Sequence, residues 1–263
     1  MLPVPPPTIV RKINREAVVL LGWGRAILLQ LAHPLVAAGV AEYSDFDKSA
    51  GGYVRRVRRT VGGMLSITFG TREEAQRVID RINTIHDRVH GTLSEAAGPF
   101  PAGTPYSARD PRLLLWVHAT LVESMVLTYE HLVGPLRRDE RDRFCVEAAE
   151  TAVALGVPDE DVPKRYDDLI RYMSRVYASG DVVVAATARR LASALLSPPL
   201  GPAAPLGRIT RLVTVGLLPE DIRQAYGFLW DDRRERRFRA VMRVVRRARW
   251  ILPPMLREWR VSA

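Results

Sequence analysis

Apolar residues recur at three- and four-residue spacing along most of the chain, whereas the strict alternation of a half-buried strand is scarce. That periodicity predicts helices over about 15–32, 53–67, 71–91, 111–131, 138–155, 166–178, 182–196, 220–228 and 232–252. The valine run at 182–184 is too short to establish a strand by itself. Proline and glycine clusters near 98–105 and 198–205 read as loops, too short to separate two domains, and no internal repeat is present. The expectation is an all-α single multi-helix domain over 15–260, preceded by an N-terminal extension at 1–14.

The segment TREEAQRVIDRINTIHDRVHG, 71–91, is the best delimited of these elements. Thr71 and Glu74 have the spacing of a capping box, in which each side chain accepts a backbone N–H left unpaired at the helix start, and Gly91 suits a left-handed stop. Ala75, Val78, Ile79, Ile82, Ile85 and Val89 share one face, and His86, seven residues beyond Ile79, falls on it. A neutral imidazole turned inward there is either a hydrogen-bonded core group or a ligand.

The 263 residues are 47% apolar and 26% charged, an ordinary balance for a folded domain. The single cysteine, Cys145, excludes an internal disulfide and cysteine-rich zinc or iron–sulfur sites. Prolines stand near the N-terminus where a signal peptide would have a basic start and an apolar run, so the expected location is cytoplasmic. The apolar region 17–40 comes nearest to a membrane span, but Arg25, Gln30, His33 and Pro34 interrupt it, and it reads as buried core.

Charge changes the picture at one end only. Of the net +10, a local +9 comes from 233–260, where eleven arginines face Glu235 and Glu258. On the helix expected at 232–252, Phe238, Val241, Met242, Val245, Ala248 and Leu252 share one face while Arg239, Arg243, Arg246 and Arg247 take the other. Such a helix either docks on the core with its arginines solvated or sits peripherally on the inner face of an anionic membrane. No recognised module accompanies the charge, and nucleic acid is not the expected partner.

The histidines differ in promise. His131, beside Glu130 at a helix end, reads as a surface residue. His33, before Pro34, is placed to donate to a carbonyl freed by the proline, and His118, on a helix with little polar surface, should be buried and hydrogen-bonded. His86 and His90 have the four-residue spacing of a zinc-protease helix, but Asp87 stands where that motif needs Glu, and no third ligand is evident. A di-iron carboxylate site lacks its paired Glu-x-x-His elements.

Six segments decide the matter in a way periodicity alone does not: REAVVLLGWGRAILLQLAHPLVAAGVAEYSDF, RRVRRT, FGTREEAQRVIDRINTIHDRVHG, YSARDPRLLLWVHATLVES, LGVPDEDVPKRYDDLIRYM and LLPEDIRQAYGFLWDD. In this order they resemble the family of the rubber oxygenases (latex clearing proteins) and the ER-bound oxygenase mpaB, over about 15–257 and most closely its bacterial members of unassigned function.

The resemblance implies an all-α fold with a globin-like core enclosing haem b, and it makes His86, the histidine of H-x-x-V-x-G, the iron ligand. Arg56 and Thr60 match the R-x-x-x-T element that lines the haem pocket. His90 stands where the family often has Arg, in contact with haem or its propionates. The latex clearing enzymes have an iron-binding lysine just before the threonine; Arg59 occupies that position here and, always protonated, cannot donate a lone pair. Glu42, in VAEYSDF, is the candidate for the acidic pocket residue, with pairing to Arg56 as its alternative role, and His118 and His33 are supporting polar groups of the cofactor site. The implied activity is a haem b (iron)-dependent oxygenase using O2 on a small or polymeric apolar substrate. The alternatives are a zinc-dependent hydrolase built on His86 and His90, and a non-catalytic helical protein on an anionic membrane.

Overall fold

The computed structural model describes residues 8–43, 50–197 and 204–259, without the side chains of 50–54, 56, 57, 204–206, 254 and 256. In chain order the helices are α1 (Ile9–Asn14), α2 (Trp23–Leu31), α3 (Pro34–Tyr43), α4 (Ala50–Phe69), α5 (Arg72–His86), α6 (Pro111–Leu132), α7 (Arg138–Ala154), α8 (Tyr166–Ser179), α9 (Ala186–Leu196), α10 (Ala204–Gly216), α11 (Glu220–Ala225), α12 (Asp232–Ile251) and α13 (Pro254–Arg257). A 3-10 segment, Ala17–Gly22, precedes α2. The only sheet among the described residues is a hairpin of β1 (His90–Thr92) and β2 (Pro105–Ser107), antiparallel with His90 opposite Ser107. The protein is all-α in a single domain.

α6 is the axle of the fold. Asp110 accepts the Arg112 N–H at 2.9 Å and Pro111 occupies the first turn, where its missing N–H costs nothing. Beyond that cap the helix is apolar on nearly every side, so α2, α7, α8, α12 and the 3-10 segment pack around it. Trp116, Phe144, Leu28, Leu29 and Leu191 are all but fully buried in the main core.

Glycine makes the closest helix crossings possible. A methyl group on Gly22 would lie 2.2 Å from Thr128 Oγ1, and one on Gly24 2.2 Å from Thr214 Oγ1. The helix expected over 15–32 is divided into a 3-10 entry and the shorter α2, which turns into α3 at Pro34. The two stretches Ala17–Leu31 and Pro34–Tyr43 are bent by 108°, and no single helix among the described residues is long and apolar enough to cross a membrane. Their apolar faces, including Leu28, Leu31, Ala32, Leu35 and Ala37, are buried instead.

A buried ion pair locks α2 to α6. Arg25 grips both carboxylate oxygens of Glu123, and also donates to Ser124 Oγ at 2.7 Å and to the Leu217 carbonyl at 2.7 Å. Arg25, which interrupts the apolar run, is thus buried with its charge paired. α1 was expected to belong to an extension, but Ile9 and Ile13 are core residues, and Glu147 accepts the N–H groups of Ile9 and Val10 at 3.1 and 2.8 Å.

Candidate active site

α5 begins as its sequence demands. Thr71 Oγ1 accepts the Glu74 N–H at 3.2 Å while Glu74 Oε2 accepts the Thr71 N–H at 2.8 Å, completing the capping box. Its end differs from expectation. The helix stops at His86, Asp87–Val89 turn, and His90 enters β1, where it is exposed. His90 therefore does not stand one helical turn beyond His86, and the helical zinc-protease arrangement of the two does not form. Among the described residues no group of three or more His, Cys, Asp or Glu could hold a metal by themselves.

The stop at His86 comes from three contacts that the periodicity of α5 does not register. Arg109, in the loop before α6, donates to Asp87 Oδ1 at 2.7 Å and to Asn83 Oδ1 at 2.8 Å, binding the last turn of α5 to that loop. Val89 packs on α3, because a methyl group on Gly39 would lie 3.1 Å from Val89 Cγ1. Gly91 is not a left-handed helix stop; it is absent from the positive-φ glycines and sits in β1 directly under Tyr106. A methyl group there would come within 2.7 Å of Tyr106 Oη and 3.3 Å of Glu42 Oε2.

His86 is half-buried, and its Nδ1 is sealed from solvent without a hydrogen-bond partner among the described residues. Burial first, and the nearby Arg109 guanidinium second, depress its pKa below the usual histidine value, against a smaller opposing pull from Asp87. The imidazole is thus neutral at pH 7, the form that can donate a lone pair to a metal. The rest of its helix is less deeply set than its apolar face suggested: Ile79 is buried, Val78 and Ile82 are half-buried, and Ile85 is exposed.

α4 is the neighbour of α5 across the turn at Gly70 and Thr71, with Gly63 opposite Val78. Counting outward from that turn, Arg56 on α4 and His86 on α5 stand at the same level of the helical hairpin. The Arg56 side chain lies outside the described residues, while Arg59 and Thr60 are exposed.

Glu42 ends α3, and Tyr106 donates its hydroxyl to Glu42 Oε2. Tyr43 beside it donates to the His90 carbonyl at 2.9 Å. Burial, and then the Glu42 hydrogen bond, push the Tyr106 pKa up, so the phenol keeps its proton and remains the donor. Glu42 also lines a cavity of about 250 Å³, walled by Ala37, Ala38, Ala41 and Leu93 and carrying Thr187 and Arg190.

The other histidines divide. His33 is buried with its ring against Phe100, centroids 5.4 Å apart, and its Nδ1 has no partner, so it does not donate to a carbonyl freed by Pro34. Burial lowers its pKa against the pull of Asp181 and Asp110, which places it, like His86, beside the loop entering α6. His118 faces a different neighbourhood: burial, with a smaller contribution from Lys164, holds its pKa down to about 4, and it has no hydrogen bond among the described residues. His131 is exposed and bonds through Nδ1 to the Leu127 carbonyl at 2.8 Å, the surface role expected of it.

The segments that meet here are those whose order along the chain is distinctive, and a family model covers them. Residues 10–247 match the catalytic domain described as ER-bound oxygenase mpaB/B'/Rubber oxygenase. The chain belongs to this family. As a member of the mpaB/rubber oxygenase family it carries an oxygenase catalytic domain. It is 28% identical over 231 residues to the uncharacterized proteins Mb2261 of Mycobacterium bovis and Rv2237 of Mycobacterium tuberculosis, covering 86% of this chain and 87% of each relative. No solved structure matches the chain.

Within the family frame, the motif residues acquire separate physical jobs. In the H-x-x-V-x-G element of this chain, His86 carries the buried Nδ1 without a partner among the described residues, Val89 docks the turn on α3 and Gly91 makes room for the Tyr106 to Glu42 hydrogen bond. Asn83, Tyr106 and Arg109 escaped the reading of the sequence as candidate site residues. The signal was there in YSARDP, which holds both Tyr106 and Arg109 next to the α6 cap.

Proposed function

We propose that this family member is a haem b-dependent oxygenase acting on an apolar substrate, with His86 as the iron ligand. The observation that carries the proposal is the state of His86: an imidazole kept neutral, with a buried ring nitrogen that has no partner among the described residues, on the helix end that Arg109 holds through Asp87 and Asn83. A buried polar atom without a partner is costly, and ligation through one ring nitrogen with a hydrogen bond at the other would remove that cost. These residues fit haem b, whose iron would supply O2 binding and activation that no side chain offers.

The chain's own residues would do the rest. Arg56, level with His86, is the candidate for a propionate or an oxygen-derived anion, and Thr60 is a hydroxyl donor one turn further along α4. Arg59 would add a fixed positive charge without a lone pair, so it would not serve as an iron ligand as a lysine could. The Glu42 carboxylate, oriented by the Tyr106 hydroxyl, would receive a proton from substrate in the alanine-walled cavity at its side. His118 and His33, both held neutral by burial, would be polar supports in the surrounding wall.

The test is an absorption spectrum and metal analysis of the purified protein. A Soret band with stoichiometric iron, and O2 consumption that requires an added apolar substrate, would agree with the proposal. A colourless protein holding stoichiometric zinc would reject it in favour of a hydrolase.

A further inference from the structure

The apolar stripe of α12 is already used. Phe238 and Met242 are buried against Leu132, Val213 and Leu217, with Val241 and Val245 beside them, so this face cannot also enter a membrane. The outer face of the same helix is unusual for that reason. There Val244 is 65%, Trp250 71% and Ile251 85% exposed, and they are interleaved with the exposed Arg243, Arg246 and Arg247.

Six of the nine arginines of α12 divide into a paired and an unpaired set. Arg234, Arg239 and Arg249 are paired, with Asp231, Glu235 and the buried Glu16. Arg243, Arg246 and Arg247 have no acidic partner among the described residues, nor do the exposed Arg208 and Arg211 of the adjoining α10. Meanwhile the Arg249 to Glu16 pair and the Trp259 N–H, which bonds the Arg15 carbonyl at 3.0 Å, fasten the end of the chain on both sides of Trp250 and Ile251. The two large apolar side chains stand on a corner held in place by these ties.

We propose that this outer face, with Arg208, Arg211, Arg243, Arg246 and Arg247 around Val244, Trp250 and Ile251, docks on an anionic lipid bilayer. Arginine binds headgroup phosphate while its stem lies along apolar surface, and indole favours the boundary between headgroups and acyl chains. A nucleic acid would reward the charges but leave Ile251 and Val244 in water. A second copy of this chain would bring one set of unpaired arginines against another. A bilayer satisfies both kinds of side chain at once, with shallow apolar burial and charge attraction adding together.

This inference is independent of the oxygenase reading, since it concerns a surface built from α10 and α12 and is read without cofactor or substrate. Full-length protein would be co-sedimented with vesicles of phosphatidylcholine alone and with vesicles containing about one-third phosphatidylglycerol. The expected result is binding to the anionic vesicles, little to the neutral ones, and weakening as salt is raised. Each arginine near the surface is worth about fivefold, so Arg243→Gln, Arg246→Gln and Arg247→Gln together should weaken binding on the order of a hundredfold. Trp250→Ala with Ile251→Ala should weaken it at unchanged charge. All five side chains are solvent-facing, so circular dichroism should show the variants folded. The proposal is overturned if anionic vesicles are not bound at low salt, or if either variant binds them like the parent. It is overturned as well by a dimer that the Trp250 and Ile251 substitutions abolish, or by duplex DNA binding as tight as vesicle binding.

Discussion

Arg109 reaches from the loop before α6 to Asp87, at 2.7 Å, and so fixes the first residue past α5, which ends at His86. The guanidinium has three consequences: it pairs the first residue past the helix, it holds Asn83 one turn back, and its charge favours the neutral form of His86. The pair itself is exposed and screened by solvent, so Arg109→Ala should leave global stability nearly unchanged. The larger effect should be local. NMR titration of the cofactor-free protein should find the His86 pKa raised in Arg109→Ala, with the other histidines unmoved.

The ion pair of Arg25 and Glu123 should behave oppositely, because it is buried. Removing one partner leaves an uncompensated charge among apolar side chains, and Glu123→Gln should cost about 3–5 kcal/mol by denaturant unfolding. Replacing both, as Arg25→Met with Glu123→Leu, should recover much of that loss. A double variant as unstable as the sum of the singles would contradict this account of the core.

The crossing of α2 and α10 at Gly24 makes a packing prediction. The nearest atoms to an added methyl group all belong to one side chain, Thr214, at 2.2–3.1 Å. Gly24→Ala should therefore destabilise by about 1–3 kcal/mol, the usual cost of overpacking. Adding Thr214→Ala should relieve most of it, since that change also removes a buried hydroxyl without a partner.

His118 makes stability depend on pH, in the same direction as His33 and His86, whose pKa values burial also lowers. Its folded pKa is about 4 and its unfolded value close to 6.5, so at pH 7 it is neutral in both states and neither form is favoured. Below pH 6.5 the unfolded chain takes up the proton first, and stability falls until about pH 4, by roughly 3 kcal/mol in all. Carboxylates such as Asp87 and Glu140, with depressed pKa values, lose their stabilising effect only at lower pH. His118→Leu should flatten the slope of unfolding free energy between pH 6.5 and 4.5.

Much of this architecture was legible in the sequence because local signals set it. The starts of α5, α6, α7 and α8 fall where caps and periodicity put them, and α12 spans Asp232–Ile251 against an expected 232–252. What the pattern did not reveal depended on distant partners. The close crossings at Gly22 and Gly24 depend on Thr128 and Thr214, residues more than a hundred positions away. α10 has no counterpart among the helices that periodicity predicts, though Val213 and Leu217 are buried beneath α12. The caps and periodicity of α5 put His86 on its apolar face but extend the helix five residues too far, because Asp87, Val89 and Gly91 beyond it are engaged by Arg109, Gly39 and Tyr106. Glu42 was placed by resemblance; its tie to Tyr106 appeared only when β2 came alongside β1.

The role of His86 is the claim on which the functional account turns. The most direct measurement is the visible spectrum and haem content of His86→Ala beside the parent protein, both purified from the same expression and reconstituted with haem b. The account predicts a Soret band and stoichiometric haem in the parent, loss or marked displacement of both in the variant, and partial recovery on adding free imidazole. A His86→Ala protein that keeps the full haem content and an unshifted spectrum would contradict it.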